Sequence, residues 1–511
     1  MYNIIKNPDI VRTFVENESE QDVRVTTEVV NRELVVSVTA DRAEPRYVIL
    51  RWLHQTQGKV QVLGDAWERS YGDLSWKGIE PDRVMPWYFL LEGDVGVFGF
   101  GVKVRPRAMC HWLFDAEGVS LVLDLRCGGV GVQLNGRTLE AATVVYRAYG
   151  SMDAFDAACD FCSVMSPAPL TIKEPVYGAN NWYYAYGNSS YEDIISDSRY
   201  IAKLTEGLSN RPYMVIDDGW EPYRVCGPWY KGNERFLDMK QLMQDMKACG
   251  VKPGIWFRPL TDANECFEEC HFLRGQKGTL DPTHPDVLAN IAESVSRFCE
   301  WGCQLLKHDF SSCDTTSVWG KDTYRRFVPE QDTWSFHNRN VTTAEALLTL
   351  YETIYRSAGD MVVLGCNCVN HLCVGYVHLN RIGDDTSGRQ WERTRFMGVN
   401  ALAFRLPQHR RFFEADADCV GVTAEIPWEL NRRWLDLLAT SGTPLFVSCK
   451  QQDITPEMEE DLRQAMIVAS QQQDQLRPLD WQYNSTPKRW LRNGQEITYC
   501  WSEDTGSFDL P

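Results

Sequence analysis

The chain has 511 residues, 44% hydrophobic and 24% charged, enough for two or three domains with full cores. Its 52 basic and 70 acidic residues leave a net charge of −18, which argues against nucleic acid and anionic membranes as partners. No run approaches the roughly 18 apolar residues that cross a bilayer, and residues 1–8 lack the apolar core of a secretory signal, so a cytoplasmic protein is expected.

Residues 1–165 alternate apolar and polar positions over short stretches such as 33–39 and 119–125. Turn signals fall at Gly128-Gly129 and Asn135-Gly136, and the pattern predicts an N-terminal antiparallel β-sandwich. Ser166-Pro167-Ala168-Pro169 reads as the exit from it. From about residue 175 the rhythm becomes strand, loop, amphipathic helix. Strands are expected to begin near Val176, Tyr213, Lys252, Gln304, Met361, His378, Asn400 and Pro444. Helices are expected over 191–204, 237–248, 285–301, 342–357 and 456–470. Eight such units predict an α/β fold, a (β/α)8 TIM barrel over 175–473. Residues 474–511, with the strand-like run 497–501, read as a short C-terminal β segment.

The 17 cysteines are expected as thiols of a reducing compartment. Cys159-x-x-Cys162 and the group Cys266, Cys270 and His271 resemble redox or metal half-sites, but neither has a second pair at metal-site spacing. Both are read as structural. The nine histidines show no ligand set at strand ends, so neither a metal nor a cofactor is expected.

A barrel enzyme carries its chemistry at the C-terminal ends of its strands. That rule selects Asp217 and Asp218, Trp256 and Arg258, Lys307 and Asp309, Asn367 and Cys368, then Arg381 and Asp385. Two carboxylates across a pocket are the minimum equipment for breaking a glycosidic bond. Asp309 is the expected nucleophile, because strand alternation puts Lys307 on its face, where an ammonium favours the ionised form. His308 should point the other way. Asp385 is preferred over Asp384 as acid/base, since it shares a face with Arg381 and Gly383, and Asp384 reads as a turn or capping group. Asp217-Asp218-Gly219-Trp220 combines carboxylates with an aromatic face, a combination that grips sugars, and Trp256 is a second candidate wall. The aromatic and charged stretch 67–73 is a candidate to reach over the barrel mouth, its own or a neighbouring subunit's.

At these residues the chain resembles the retaining α-galactosidases of glycoside hydrolase family 36, in clan D, and their raffinose-synthase-like relatives. The resemblance rests on residues 215–220, 253–257, 280–285, 307–309, 381–385 and 416–418, in the family's order over about 210 residues. It implies retaining cleavage of a terminal α-linked sugar, usually galactose. It also implies a nucleophile at Asp309, an acid/base at Asp385, and substrate contacts at Asp217, Asp218, Trp256, Lys307 and Arg381. Two departures flank the sugar: Arg258 stands where many members carry an acid, and 366–371 (Cys-Asn-Cys-Val-Asn-His) replaces a cysteine with paired glycines. Specificity for an N-acetylamino or pentose analogue therefore stays open, as does transfer to a sugar acceptor instead of water. A carbohydrate-binding barrel is the weaker alternative, because both catalytic positions are filled. The expected partner is an oligosaccharide or glycoside, and a homo-oligomer is compatible with the sequence.

Overall fold

The computed structural model describes residues 3–17, 22–263, 267–276, 278–317 and 334–502; Cys266 lies outside them. The N-terminal part forms two antiparallel sheets. One runs, in spatial order, Ile10–Val15, Pro45–Leu53, Gly118–Asp124, Met109–Asp115 and Met85–Pro86. The other runs Arg24–Val30, Glu33–Thr39, Thr138–Gly150, Gly96–Val102, Tyr88–Gly93 and Val60–Gly64. The alternation read from the sequence is the cause: in Glu33–Thr39 the apolar Leu34, Val36 and Val38 are fully buried and the residues between them are not. Helix Ala154–Met165 lies on this second sheet, and the Phe161 ring comes so close to Gly99 that a Cβ there would stand 2.7 Å from it. Cys159 and Cys162 sit buried and unpaired on that helix; burial pushes the Cys159 thiol up to about 11, which keeps it protonated.

The central element is a nine-stranded, all-parallel sheet. Its spatial order is Glu414–Asp416, Leu379–Arg381, Val362–Gly365, Leu305–His308, Lys252–Phe257, Tyr213–Ile216, Tyr177–Asn180, Leu445–Cys449 and Cys419–Val422. The two outermost strands are separated along the chain by only Ala417 and Asp418, so the sheet curves until its edges approach. Most of its strands are buried at every residue, as expected of parallel strands covered on their faces. Amphipathic helices Tyr191–Leu204, Met239–Cys249, Pro285–Trp301, Thr343–Ser357, Trp428–Thr440 and Pro456–Ala469 alternate with them. Their starts are written locally: Ser190 and Thr342 close capping boxes, and His284 caps a helix that opens on Pro285.

One expected strand is corrected. The run near Asn400 is helical, as a π-turn over Arg395–Asn400 continued by Ala401–Arg405, and the strand in that position is Glu414–Asp416. A short, fully buried apolar run has no periodicity to separate strand from helix. The C-terminal residues form a three-stranded antiparallel sheet of Arg477–Pro478, Arg489–Arg492 and Gln495–Thr498, anchored by buried Trp490 and Trp501. Among the described residues no helix is long and apolar enough to cross a membrane.

Candidate active site

Five adjacent strand ends, from Tyr213–Ile216 to Leu379–Arg381, bring the expected carboxylates and cations together. Asp217, just beyond Tyr213–Ile216, accepts from Lys307 Nζ at 2.7 Å and from Asn180 Nδ2 at 2.6 Å, and both donors stand on other strands. Asp309 follows Leu305–His308. Its Oδ2 accepts from Trp256 Nε1 at 3.1 Å, and its Oδ1 from Asn367 Nδ2 at 2.6 Å and from the Phe310 backbone N–H at 2.7 Å. Burial pushes the Asp309 carboxyl up, but Lys307, Arg69 and the bonds from Asn367 and Trp256 outweigh it, so the net shift is downward. Asn367 has φ +50°, a left-handed backbone that Asn tolerates.

Asp385 is held differently. Arg69 Nη1 lies 3.1 Å and Arg381 Nη2 3.2 Å from its Oδ1, while its side chain remains 37% exposed. Burial opposes ionisation, yet Arg69, Arg381, Lys307 and Arg393 together bring the carboxyl down to about 2. Arg381 also pairs with Asp418 at 2.8 Å, and Asp418 accepts from Thr386 and from the Tyr183 hydroxyl. Asp384 is no helix cap: Arg69 and Arg393 each meet it at 2.7 Å.

Arg69 comes from the N-terminal part of the same chain. Segment 65–71 is laced onto the ends of two strands of the parallel sheet: Ser70 N donates to the Ile382 carbonyl at 2.9 Å, Asp384 N to the Ser70 carbonyl at 2.8 Å, and Asn370 N to the Trp67 carbonyl at 2.9 Å. A buried pair, Arg405 Nε to Asp65 Oδ1 at 2.8 Å, anchors its start. Glu68 accepts from Ser312 and Tyr71 hydroxyls. Residues 65–86, with Glu68, Arg69, Tyr71 and Lys77 among them, line a cavity of about 640 Å³.

The other expected contacts divide. Asp218 pairs with the exposed Arg224 at 3.2 Å, and burial together with Asp218 pushes the neighbouring Glu221 up to about 8. Arg258 is occupied by Asp314 at 2.9 and 2.5 Å and stacks over Phe310 at 4.6 Å. His308 points away from the site, toward Tyr351 and Cys368. Two of the expected substrate contacts are buried. Trp220 is fully buried among Trp229, Phe298 and Trp301 with its Nε1 bonded to the Trp256 carbonyl, because the left-handed Gly219 turns the chain back into the core. Cys368 is buried beside His308 and Ser311, one residue out of phase with Asn367. Asn180, Arg69, Asp418 and Tyr183 were not selected by the strand-end rule. Asn180 closes its own strand and carried that signal; Asp418 follows Glu414–Asp416, a strand expected instead near Asn400, and Arg69 and Tyr183 lie on a loop and a short helix.

No protein-family model and no curated protein matches this chain. Solved structures do. An α-galactosidase from Thermus thermophilus in complex with p-nitrophenyl α-D-galactopyranoside superposes with a TM-score of 0.63 at 15% identity, over 93% of this chain and 99% of that one. A GH36 α-galactosidase, AgaB, from Geobacillus stearothermophilus gives 0.54 at 13% identity, over 90% and 72%. A GH31 dextranase from Flavobacterium johnsoniae complexed with glucose gives 0.55 at 12% identity, over 94% and 68%. The chain therefore has the fold of these glycoside hydrolases.

Proposed function

We propose that the chain is a glycosidase that cleaves a terminal α-linked galactose with retention, through a covalent glycosyl-aspartate. The observation that carries this reading is Asp309: a buried carboxylate kept ionised by Lys307 and oriented by Trp256 and Asn367, in the same site as a second carboxylate, Asp385. Asp309 attacks the anomeric carbon while Asp385 gives its proton to the leaving oxygen. Asp385 then takes a proton from water, which displaces Asp309 and releases the sugar with its original configuration. Asp217, Asp218, Lys307 and Arg381 bind sugar hydroxyls. The buried Asn367 Oδ1, without a hydrogen-bond partner among the described residues, accepts another.

With two guanidiniums on it, Asp385 is in its base form, the form the second step needs. For the first step, substrate must draw Arg69 or Arg381 away so that Asp385 regains a proton. The leaving group lies toward the 65–86 cavity, which shares Arg69 with the acid/base. The division into 1–165, 175–473 and 474–511 belongs to the same reading.

The test is release of nitrophenol from α- and β-linked galactosides, N-acetylgalactosaminides, glucosides and arabinopyranosides, with proton NMR of the first anomer formed. Turnover of the α-galactoside with α-galactose appearing first is expected. Full activity in Asp309→Ala, or β-galactose appearing first, would overturn the mechanism. Turnover of another sugar alone would overturn the galactose assignment. Added sugar acceptors separate hydrolysis from transfer.

A further inference from the structure

The loop between strand Lys252–Phe257 and helix Pro285–Trp301 folds back so that Cys270 and His271 meet His284 at the helix start. Thirteen positions of sequence separate the two histidines, and nothing in the linear spacing links them. In the structure their rings are 4.5 Å apart between centroids. One ligand atom from each of Cys270, His271 and His284 lies within 4.8 Å of the others. The Asp286 carboxylate faces the same point, 3.6 Å from His271 Nε2 and 3.9 Å from His284 Nδ1, whose lone pair accepts from Asp286 N at 3.2 Å as the helix cap and would exchange that bond for the metal. A thiol, two imidazoles and a carboxylate converging this way are a donor set for a borderline-soft divalent ion and a poor one for calcium or magnesium.

We propose that Cys270, His271, His284 and Asp286 bind a zinc ion that pins this loop to the helix. Zinc–sulfur and zinc–nitrogen bonds of about 2.3 and 2.0–2.1 Å put tetrahedral ligands roughly 3.5 Å apart, so separations of up to 4.8 Å close by up to about 1.3 Å on binding. Cys270 is exposed and the histidines half-buried, so these side chains have room to make that movement. His271 is already flanked for the role. Its Nδ1 stands 3.3 Å from the Glu268 carbonyl and, with the proton there, leaves the Nε2 lone pair toward Asp286. The other tautomer, in which Nδ1 accepts from Glu268 N at 2.9 Å, is the one the metal-free loop favours. Binding therefore selects between two hydrogen-bond states of one ring. It also releases the thiol proton, so affinity rises with pH. A bound ion would add to the bonds that already close the loop, among them Asp281 N to the His271 carbonyl at 2.8 Å, Leu273 N to the Thr279 carbonyl at 2.9 Å and Leu280 N to the Leu260 carbonyl at 2.9 Å. The effect is accordingly expected in stability and in protease resistance of this loop, and it does not depend on the glycosidase reading.

The experiment uses the untagged full-length protein, stripped with a chelator and dialysed, then titrated with zinc by calorimetry and with cobalt by absorption. One equivalent of zinc with a dissociation constant of about 0.1 µM or tighter is expected, together with a thiolate-to-cobalt charge-transfer band. Cys270→Ser should abolish that band, and Cys270→Ser and His284→Ala should each weaken zinc binding by at least 100-fold. The metal-free melting curve of Cys270→Ser should match the parent, which separates lost ligation from lost fold; His284→Ala also removes the helix cap and is compared by its zinc affinity alone. Zinc binding no tighter in the parent than in Cys270→Ser, or a cobalt–thiolate band that survives Cys270→Ser, would overturn the proposal.

Discussion

Asp309 draws its hydrogen bonds from the parallel sheet and the turns at its strand ends: Trp256 from one neighbouring strand and Asn367 from the end of the other, with Lys307 two residues back. Asp385, two strands away, is held by Arg381 from its own strand and by Arg69 from a segment that lies more than 300 positions earlier. The first carboxylate is fixed by the scaffold that every barrel strand shares. The second is fixed by a salt bridge that a moving side chain can break, at a position still 37% exposed. The contrast fits the roles proposed for them, since a nucleophile keeps one protonation state and an acid/base must change its own.

The comparison is broken most directly at Asp309. Asp309→Ala should lower kcat by roughly four orders of magnitude or more in a nitrophenyl glycoside assay, and a variant keeping a tenth of parental activity would remove it from the chemistry. Next in size is the anchor of the arginine segment. Arg405→Leu leaves Asp65 buried without its cation and should cost about 3 kcal/mol in urea unfolding; a loss below about 1 kcal/mol would show that Asn370 and Gln408, which also bond Asp65, suffice. Arg69→Ala sharpens the contrast itself. Removing a cation that favours the ionised form raises the carboxyl pKa, so the alkaline limb of the rate profile, set by protonated Asp385, should move up by about one unit. The acid limb, set by Asp309, should move less, because Arg69 acts on it through space alone. Equal movement of both limbs would argue that the two carboxylates are not held separately.

A last prediction concerns histidines that burial keeps neutral. His308 and His371 are pushed down to about 4 and His409 to about 3, against about 6.5 in an unfolded chain. Between pH 6.5 and 4 the unfolded chain binds protons that the folded one refuses, so stability falls as pH falls through that window. These histidines should make melting temperature decline from pH 7 to pH 5, against Glu221, whose raised pKa acts in the opposite direction; a profile left unchanged by His371→Gln would contradict neutral burial.

Much of this was legible in the chain. Helices 191–204 and 285–301 have the bounds read from the sequence, because caps and apolar spacing mark both ends. The Lys307–Asp309 pair follows from strand alternation alone. What escaped had no local mark. A fully buried run near Asn400 reads alike as helix or strand, and Trp220 depends on the turn at Gly219, which reverses the direction a strand-end rule assumes. The stretch 67–73 stood out by composition, yet its target, Asp385, is specified by a register between Ser70 and Gly383 that no sequence spacing encodes. His284 beside Cys270 and His271 is a similar long-range meeting.

The bridge between Ser70 and Gly383 has an engineering consequence. The parallel-sheet part is not a detachable cartridge: a fragment starting near residue 175 would keep Asp309, Lys307 and Asp217 but lose the guanidinium that Arg69 sets against Asp385. Such a fragment would differ from the parent in its working pH before it differed in its sugar preference. Grafting a foreign N-terminal part onto this barrel is thus a substitution in the proton chemistry, however far from the strand ends the junction lies.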